Sequence, residues 1–465
     1  MIGQSIQNIF KIPDLRRRIF FTFALLAVYR VGAHIPTPGV NPEALAEFWT
    51  RTSGTLLSFF DMFAGGALGR STIFALGIMP YITASIIFQL LTVIWPYLER
   101  LKNEGELGRK KINQYTRYAT VLICSVQSFG ISMWLQSISS PSGVPIVNNP
   151  GWGFKLMTVI TMTAGTVFIM WLGEQITERG IGNGISLIIF AGIVVGFPRG
   201  VLNTFRDLQG GNISILRIIF LSAFMIIVVG FIVAVERAQR KIPVSYAKRV
   251  IGRRMYGGQS THLPLRVNMS GVIPVIFASS IIAVPQTLAQ MMPYDIVQSV
   301  AGYLGWGMPF YYLLYLVGII FFCYFYTAII FNPVEVAENF RKYGGYIPGI
   351  RPGKRTSDHI DYILTRITFA GAIYLAAVSM MPDFLYTGIK LQAIPFLGGP
   401  IDNFLHQNNL DWITQGMGIN FRFGGTSLLI VVGVAMDTVQ QIESQLIMRH
   451  YDGFLKQGRI KGRRY

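Results

Sequence analysis

Apolar residues gather in blocks of about 20, long enough to cross a hydrocarbon core of ~30 Å at 1.5 Å per helical residue. The blocks lie near 19–35, 72–95, 115–137, 154–173, 183–204, 213–235, 269–291, 309–331, 362–381 and 424–446. This pattern predicts an all-α integral membrane protein with ten transmembrane helices. The polar connections assign orientation. Counted with the N-terminus inside, the inner segments carry 31 Lys and Arg residues and the outer segments six. The positive-inside rule then places both termini in the cytoplasm, consistent with an even number of spans.

One stretch departs from a plain apolar block. Leu57 to Gln89 is interrupted by Gly65, Gly66 and Gly69, and again by Pro80. Broken segments survive at membrane depth only where protein buries them or where they line a watery cavity. The run Gly77-Ile-Met-Pro80-Tyr-Ile82 has a counterpart in Gly271-Val-Ile-Pro274-Val-Ile276, continuing through Ala84-Ser85 and Ala278-Ser279. These segments fall in spans two and seven, five spans apart, so they cross in opposite directions. A 5+5 inverted repeat is therefore expected, with a pathway between the halves. The N-terminal half is taken as 1–204 and the C-terminal half as 205–465, joined through a Gly-rich, polar connection at 199–212.

The N-terminal stretch 1–18 reads as an amphipathic helix without a signal-peptide cleavage site. Two inner segments, 236–268 and 332–366, are too long and basic for simple turns. The alternation in the first suggests a strand hairpin outside the membrane. Both either set topology alone or form a positive platform for an acidic protein or an RNA backbone.

Composition agrees with the membrane reading: 52% of the 465 residues are hydrophobic and 13% charged, and the mean hydropathy is +0.46. The net charge of +18 points to nucleic acid, anionic lipid or an acidic protein surface as partner. Cys124 and Cys323 both lie in apolar runs, without disulfide or metal-ligand spacing. Four of the five histidines lie outside the expected spans and His34 sits at the edge of the first, and Ala64 to Thr72 departs from a phosphate-binding loop at its first glycine and its lysine. No enzymatic site, metal or cofactor is expected. The acids nearest the membrane, Glu174, Glu236 and Asp437, sit toward inner span ends, which argues against an ion-coupled carrier. Gly180-Ile-Gly182-Asn-Gly184 reads as a short turn between spans four and five. At depth the chain offers isoleucine: Ile82 and Ile86, Ile189 and Ile193, Ile276 and Ile430. These either pack or form a constriction that excludes ions by dewetting.

The chain resembles the SecY family of protein-translocation channels over nearly its whole length. The resemblance rests on DMFAGGALGRSTIFALGIMPYI (61–82), EGELGRKKINQYTRYAT (104–120), GEQITERGIGNGISLIIFAGI (173–193), YAKRVIGRRMYGGQSTHLPLRVN (246–268), IPGIRPGKRT (347–356) and FGGTSLLIVVGVAMD (423–437). It implies an hourglass pore whose ring is Ile82, Ile86, Ile189, Ile193, Ile276 and Ile430. A short plug helix would span Ser58, Phe59, Phe60, Asp61, Met62, Phe63, Ala64, Gly65, Gly66, Ala67, Leu68, Gly69 and Arg70. Spans two and seven, with three and eight, would form a lateral gate, with Thr83, Gln127 and Ser279 as its polar candidates. Arg253, Arg254 and Arg351 would dock the motor or ribosome.

The implied function is a channel for unfolded polypeptide across, and sideways into, the bacterial inner membrane. The implied partners are the small subunits SecE and SecG, the SecA motor ATPase, the ribosome, signal-bearing polypeptides and anionic lipids. The external segment 382–423 is longer than the family leads one to expect and has no assigned role. A secondary transporter for a small solute would also carry inverted repeats and broken helices. An intramembrane enzyme would need polar catalytic residues at depth.

Overall fold

The computed structural model describes residues 12–51, 61, 64–138, 140, 143–211, 214–246, 249–251, 254–256, 261–291, 299, 302–305, 307–388, 407 and 424–457. A helix stands at each of the ten expected positions. In chain order the elements begin with α1 (Pro13–Gly32), a surface helix α2 (Pro42–Arg51), and α3 (Met79–Ile94) followed by α4 (Pro96–Asn103). Next come α5 (Glu106–Ser137), α6 (Trp152–Arg179), α7 (Gly184–Gln209) and α8 (Ile215–Arg237). Strands β1 (Gln239–Tyr246), β2 (Arg249–Ile251), β3 (Arg254–Tyr256) and β4 (Thr261–Arg266) precede α9 (Ile273–Met291) and α10 (Pro309–Ile330). Then follow α11 (Pro333–Lys342), β5 (Gly345–Tyr346), α12 (Lys354–Thr387) and α13 (Gly425–Gln457).

Among the described residues seven helices are long and apolar enough to cross a membrane, or eight if α3 and α4, bent by 98°, count as one broken span. The expected count of ten is therefore met in position but not in this stricter test. Helix α1 carries Arg16, Arg17, Arg18 and Arg30 within or beside its apolar core, and the apolar part of α9 is short. Helix α8 shows the lipid-facing character most clearly: Ile219, Ile226, Ile227 and Phe231 are all exposed. Such a surface is untenable in water and natural in hydrocarbon.

Proline starts helices here more often than it breaks them. Pro13, Pro80, Pro96 and Pro309 stand in the first turn of their helices, where a missing N–H costs no hydrogen bond. This corrects the reading of Pro80 as a break within a span. The expected span 72–95 becomes a run of turns from 64 to 78, followed by a helix beginning at Met79. The actual break comes later. Trp95, extended at φ −101° and ψ 111° before Pro96, ends α3 and starts α4, as expected for a residue preceding proline.

The chain divides into two compact units, one of Met1–Val201, Val284–Gly302 and Val434–Tyr465, the other of Leu202–Ala283 and Tyr303–Gly433. In the first, α5 packs against α3, α4 and α6, and α1 against α6. In the second, α10 packs along α12, and Phe277 meets Phe322 edge-on at 5.6 Å.

Among the described residues, the two long basic segments are built into strands and helices. Strands β1 and β4 pair antiparallel with Gln239 opposite Arg266, and β1 takes β5 on its other edge through Ser245 and Tyr246. The hairpin expected in 236–268 is therefore present, with β2 and β3 pairing separately. Ile242, Leu265, Ile347 and Ile360 form a small core beneath it. Residues 332–366 differ from the expected loop. Asn332 caps α11 by accepting from the Val334 N–H at 3.1 Å, and the ninth membrane helix begins at Lys354. The connection at 199–212 is likewise mostly helix, because α7 continues through Pro198 to Gln209.

Candidate functional site

The two Gly-x-x-Pro repeats adopt one local conformation. Gly77 (φ +55°) and Gly271 (φ +61°) each stand two residues before a helix whose second residue is proline. That left-handed region favours glycine. At equivalent positions Ile82 donates its N–H to the Ile78 carbonyl at 3.1 Å, and Ile276 to the Val272 carbonyl at 3.3 Å. Ala84 and Ala278 are both buried. The repeated motif is thus a helix-start device, aligned residue for residue.

All six candidate pore isoleucines are buried. Ile82 and Ile86 share a face of α3, and Ile189 and Ile193 share a face of α7, both in the first unit. Ile276 on α9 and Ile430 on α13 belong to the second. The polar gate candidates are partly satisfied within their own helices. Thr83 donates to the Met79 carbonyl at 3.1 Å and Ser279 to the Ile276 carbonyl at 2.9 Å. Gln127 lies half-buried on α5.

Of the plug stretch, Asp61 and Ala64 to Arg70 are described; Ser58, Phe59, Phe60, Met62 and Phe63 lie outside the described residues. Asp61 is helical, and from Ala64 the chain runs in successive turns. Asp61 holds those turns together. Its carbonyl accepts from the Gly66 N–H at 2.8 Å, and its carboxylate Oδ1 accepts from the Gly69 N–H at 2.6 Å. Helix α1 clasps the same loop: the Tyr29 hydroxyl donates to the Ala64 carbonyl at 3.3 Å, and Arg30 Nη1 to the Gly65 carbonyl at 2.9 Å. On the side of α7, a Cβ at Gly65 would lie 3.0 Å from the Gly192 Cα. Gly65 also has φ +67°, so conformation and contact both demand glycine there.

Tyr29, Arg30 and Gly192 are functional candidates that the sequence reading did not single out. Arg30 offered a signal, because an arginine near the end of an apolar span is expensive to bury and is usually put to use. Gly180, Gly182 and Gly184, read as a plain turn, form a clasp of their own. Thr22 accepts from the Ile181 N–H at 3.1 Å, Thr177 from the Gly184 N–H at 2.9 Å and Gln441 from the Gly182 N–H at 2.9 Å. A Cβ at Gly184 would fall 1.9 Å from the Gly173 carbonyl oxygen, so α6 and α7 meet there backbone to backbone.

The acids noted near span ends are engaged: Glu174 pairs with Arg117 at 2.8 Å, and Glu236 accepts from Asn268 at 2.7 Å. Arg351 is exposed on a turn whose carbonyl accepts from the Thr356 hydroxyl at 2.9 Å, between Gly349 (φ +82°) and Gly353 (φ +108°). Arg253 lies outside the described residues, and the backbone of Arg254 is in β3. Of the long segment expected to be external, residues 389–423 also fall outside them apart from residue 407.

The SecY family model matches residues 72–439, from within the turns that precede α3 into the last helix. The chain belongs to the SecY family. It is 47% identical over 455 residues to the protein translocase subunit SecY of Pseudomonas aeruginosa, covering 97% of this chain and 95% of that protein. The Escherichia coli K12 SecY is 46% identical over 453 residues, covering 97% and 96%, and that of Aquifex aeolicus 43% over 456 residues, covering 98% and 100%.

Among solved structures, a protein-conducting channel superposes with a TM-score of 0.61 at 17% identity, over 96% of this chain and 94% of that one. A SecY structure whose plug domain stabilises the closed state of the translocation channel gives 0.60 at 18% identity over the same shares. Sec61 in the canine ribosome–channel complex gives 0.57 at 17% identity, again over 96% and 94%. These likenesses show the fold.

Proposed function

We propose that this SecY-family chain is a protein-conducting channel, passing unfolded secretory polypeptide across the bacterial inner membrane and releasing transmembrane segments sideways into lipid. The full-length identity to translocase subunits carries the reading, and the buried isoleucines and glycine-rich plug turns accord with it. A small-solute transporter has no comparable support. The driving force comes from outside the chain, from a SecA-type motor ATPase or a translating ribosome. Arg351, with Arg253 and Arg254, is proposed as the docking platform, and SecE- and SecG-type subunits as membrane partners. Both termini are proposed to be cytoplasmic, and the halves to divide near 204/205 as a 5+5 inverted repeat.

In the mechanism we infer, a signal sequence enters between spans two and seven, beside Thr83, Gln127 and Ser279, and the plug turns leave. Ile82, Ile86, Ile189, Ile193, Ile276 and Ile430 then close around the passing chain as an apolar gasket. Such a gasket excludes hydrated ions because wetting a narrow aliphatic constriction is unfavourable.

The test is a photo-crosslinker at Ile82 or Ile276 in the purified channel with its partner subunits in liposomes. A secretory precursor stalled midway with motor and ATP crosslinks at both positions, and only when its signal sequence is intact. Translocation without crosslinks at either position would place the path elsewhere.

A further inference from the structure

The β1–β4 hairpin is joined to two membrane helices by short connections. One residue, Ala238, separates α8 from β1, and six, 267–272, separate β4 from α9. The strand ladder runs on past Gln239 and Arg266, because the Val267 N–H donates to the Ala238 carbonyl at 3.1 Å. Directly beyond, Asn268 Nδ2 donates to Glu236 Oε1 at 2.7 Å. A short, charge-assisted hydrogen bond thus ties the last turn of α8 to the segment that enters α9.

The joint is braced from every side that the structure describes. Asn268 is buried, and a buried amide needs its hydrogen bonds satisfied. The Ser270 hydroxyl donates to its Oδ1 at 3.3 Å, which leaves the amide nitrogen for Glu236. Helix α12 backs both strands of the connection. A Cβ at Gly371 would lie 2.6 Å from the Val267 carbonyl oxygen, and one turn on, Tyr374 meets Phe231 of α8 edge-on at 5.7 Å. Further along, a Cβ at Gly433 would fall 2.7 Å from Val272 Cγ1. All of these residues belong to the second unit. A displacement of the hairpin is therefore handed through contiguous contacts to the first two turns of α9, which carry Ile276 and Ser279.

We propose that Glu236 and Asn268 are positioning residues for gate opening: their hydrogen bond passes movement of the basic hairpin, on binding of the motor ATPase, to α9. The inference rests on the channel reading and deepens it. It requires that a bound motor moves α9 through this joint, and not that Arg253, Arg254 or Arg351 makes the docking contact.

The experiment uses the full chain with its partner subunits in proteoliposomes, with Ser279→Cys as a reporter on α9 in a C124A/C323A background. Maleimide labelling is timed with and without the motor held by a nonhydrolysable ATP analogue, and motor affinity is measured on the same vesicles. The motor is expected to speed labelling in the parent channel. Asn268→Ala, and Asn268→Asp, which sets two carboxylates face to face, should cut that rise about tenfold or more, with motor affinity and resting labelling unchanged. E236Q/N268D exchanges donor and acceptor and should restore the rise. A parental rise in both Asn268 variants, or no rise in the parent, overturns the proposal. So does a loss of motor affinity that accounts for the lost rise, or resting labelling already at the motor-bound rate, which would make the pair plain support for the fold. Arg351→Glu separates the two readings: intact motor affinity there refutes the docking platform, while the Asn268 variants alone decide the joint.

Discussion

Arg30 on α1 reaches the Gly65 carbonyl through Nη1 at 2.9 Å, so a cation near the end of a membrane span holds the backbone of the glycine-rich turns proposed as the plug. The neighbouring Tyr29 hydroxyl takes the Ala64 carbonyl at 3.3 Å. Two successive carbonyls are thus gripped by two successive side chains. A latch that grips backbone tolerates changes in plug side chains, provided that the loop keeps its shape.

Arg30→Ala is expected to loosen the closed state. A hydrogen bond to a charged group contributes about 1.5–3 kcal/mol, or roughly ten- to hundred-fold in the closed-to-open ratio. Ion leak in planar bilayers should rise accordingly, and Arg30→Lys should restore part of the seal. A leak no different from wild type would remove Arg30 from the latch.

Gly65→Ala and Gly66→Ala separate strain from contact. Both glycines have positive φ, +67° and +81°, which costs a side-chain-bearing residue about 1–2 kcal/mol. Only Gly65 also meets a neighbour, the Gly192 Cα, while a Cβ at Gly66 finds open space. Thiol labelling of a cysteine placed at the buried Ala67 should therefore accelerate more in G65A than in G66A.

Ile82→Asn and Ile276→Asn place an amide where a buried aliphatic side chain stands. An unsatisfied buried amide costs about 1–3 kcal/mol in proteins, and wetting of an apolar constriction becomes easier. Precursors with defective signal sequences should then be translocated, and ion leak should rise. Unchanged signal selectivity together with an unchanged leak would return these residues to simple packing.

Gly184→Ala should be among the more damaging small substitutions, since its Cβ would collide with the Gly173 carbonyl oxygen. Overpacking of this kind costs about 1–3 kcal/mol. Gly230→Ala on α8 meets nothing within 4 Å and should stabilise by roughly 0.5–1 kcal/mol through helix propensity. Thermal melts of the purified chain in detergent would resolve the opposite signs.

If Arg351 docks the motor as proposed, Arg351→Glu should reduce motor-driven translocation by about tenfold or more through like-charge repulsion at that contact. The turn itself should survive, because its hydrogen bond to Thr356 uses the backbone carbonyl of residue 351. Ion leak should not change; a rise in leak would point to a structural role instead.

Most membrane helices were legible in the apolar blocks, because hydrocarbon imposes length and apolarity on every crossing segment, and α8 and α10 satisfy both in plain view. The repeat was legible too, since Gly77-x-x-Pro80 and Gly271-x-x-Pro274 are visible as letters, and so was the strand hairpin of β1 and β4. The family motifs pointed to the same positions. What those letters do became visible only in the packed fold. Pro80 reads as a break until the backbone shows it in the first turn of α3, where its missing N–H has no partner to lose. Gly184 reads as a turn residue until the Gly173 carbonyl is found against it. Arg30 was legible as an oddity, but its acceptor lies 35 residues away, and no local pattern records which carbonyl an arginine will reach. Periodicity and composition act within a segment and survive in one dimension. Close backbone approach and long-range hydrogen bonds arise only after helices pack, so they had to be read from the fold.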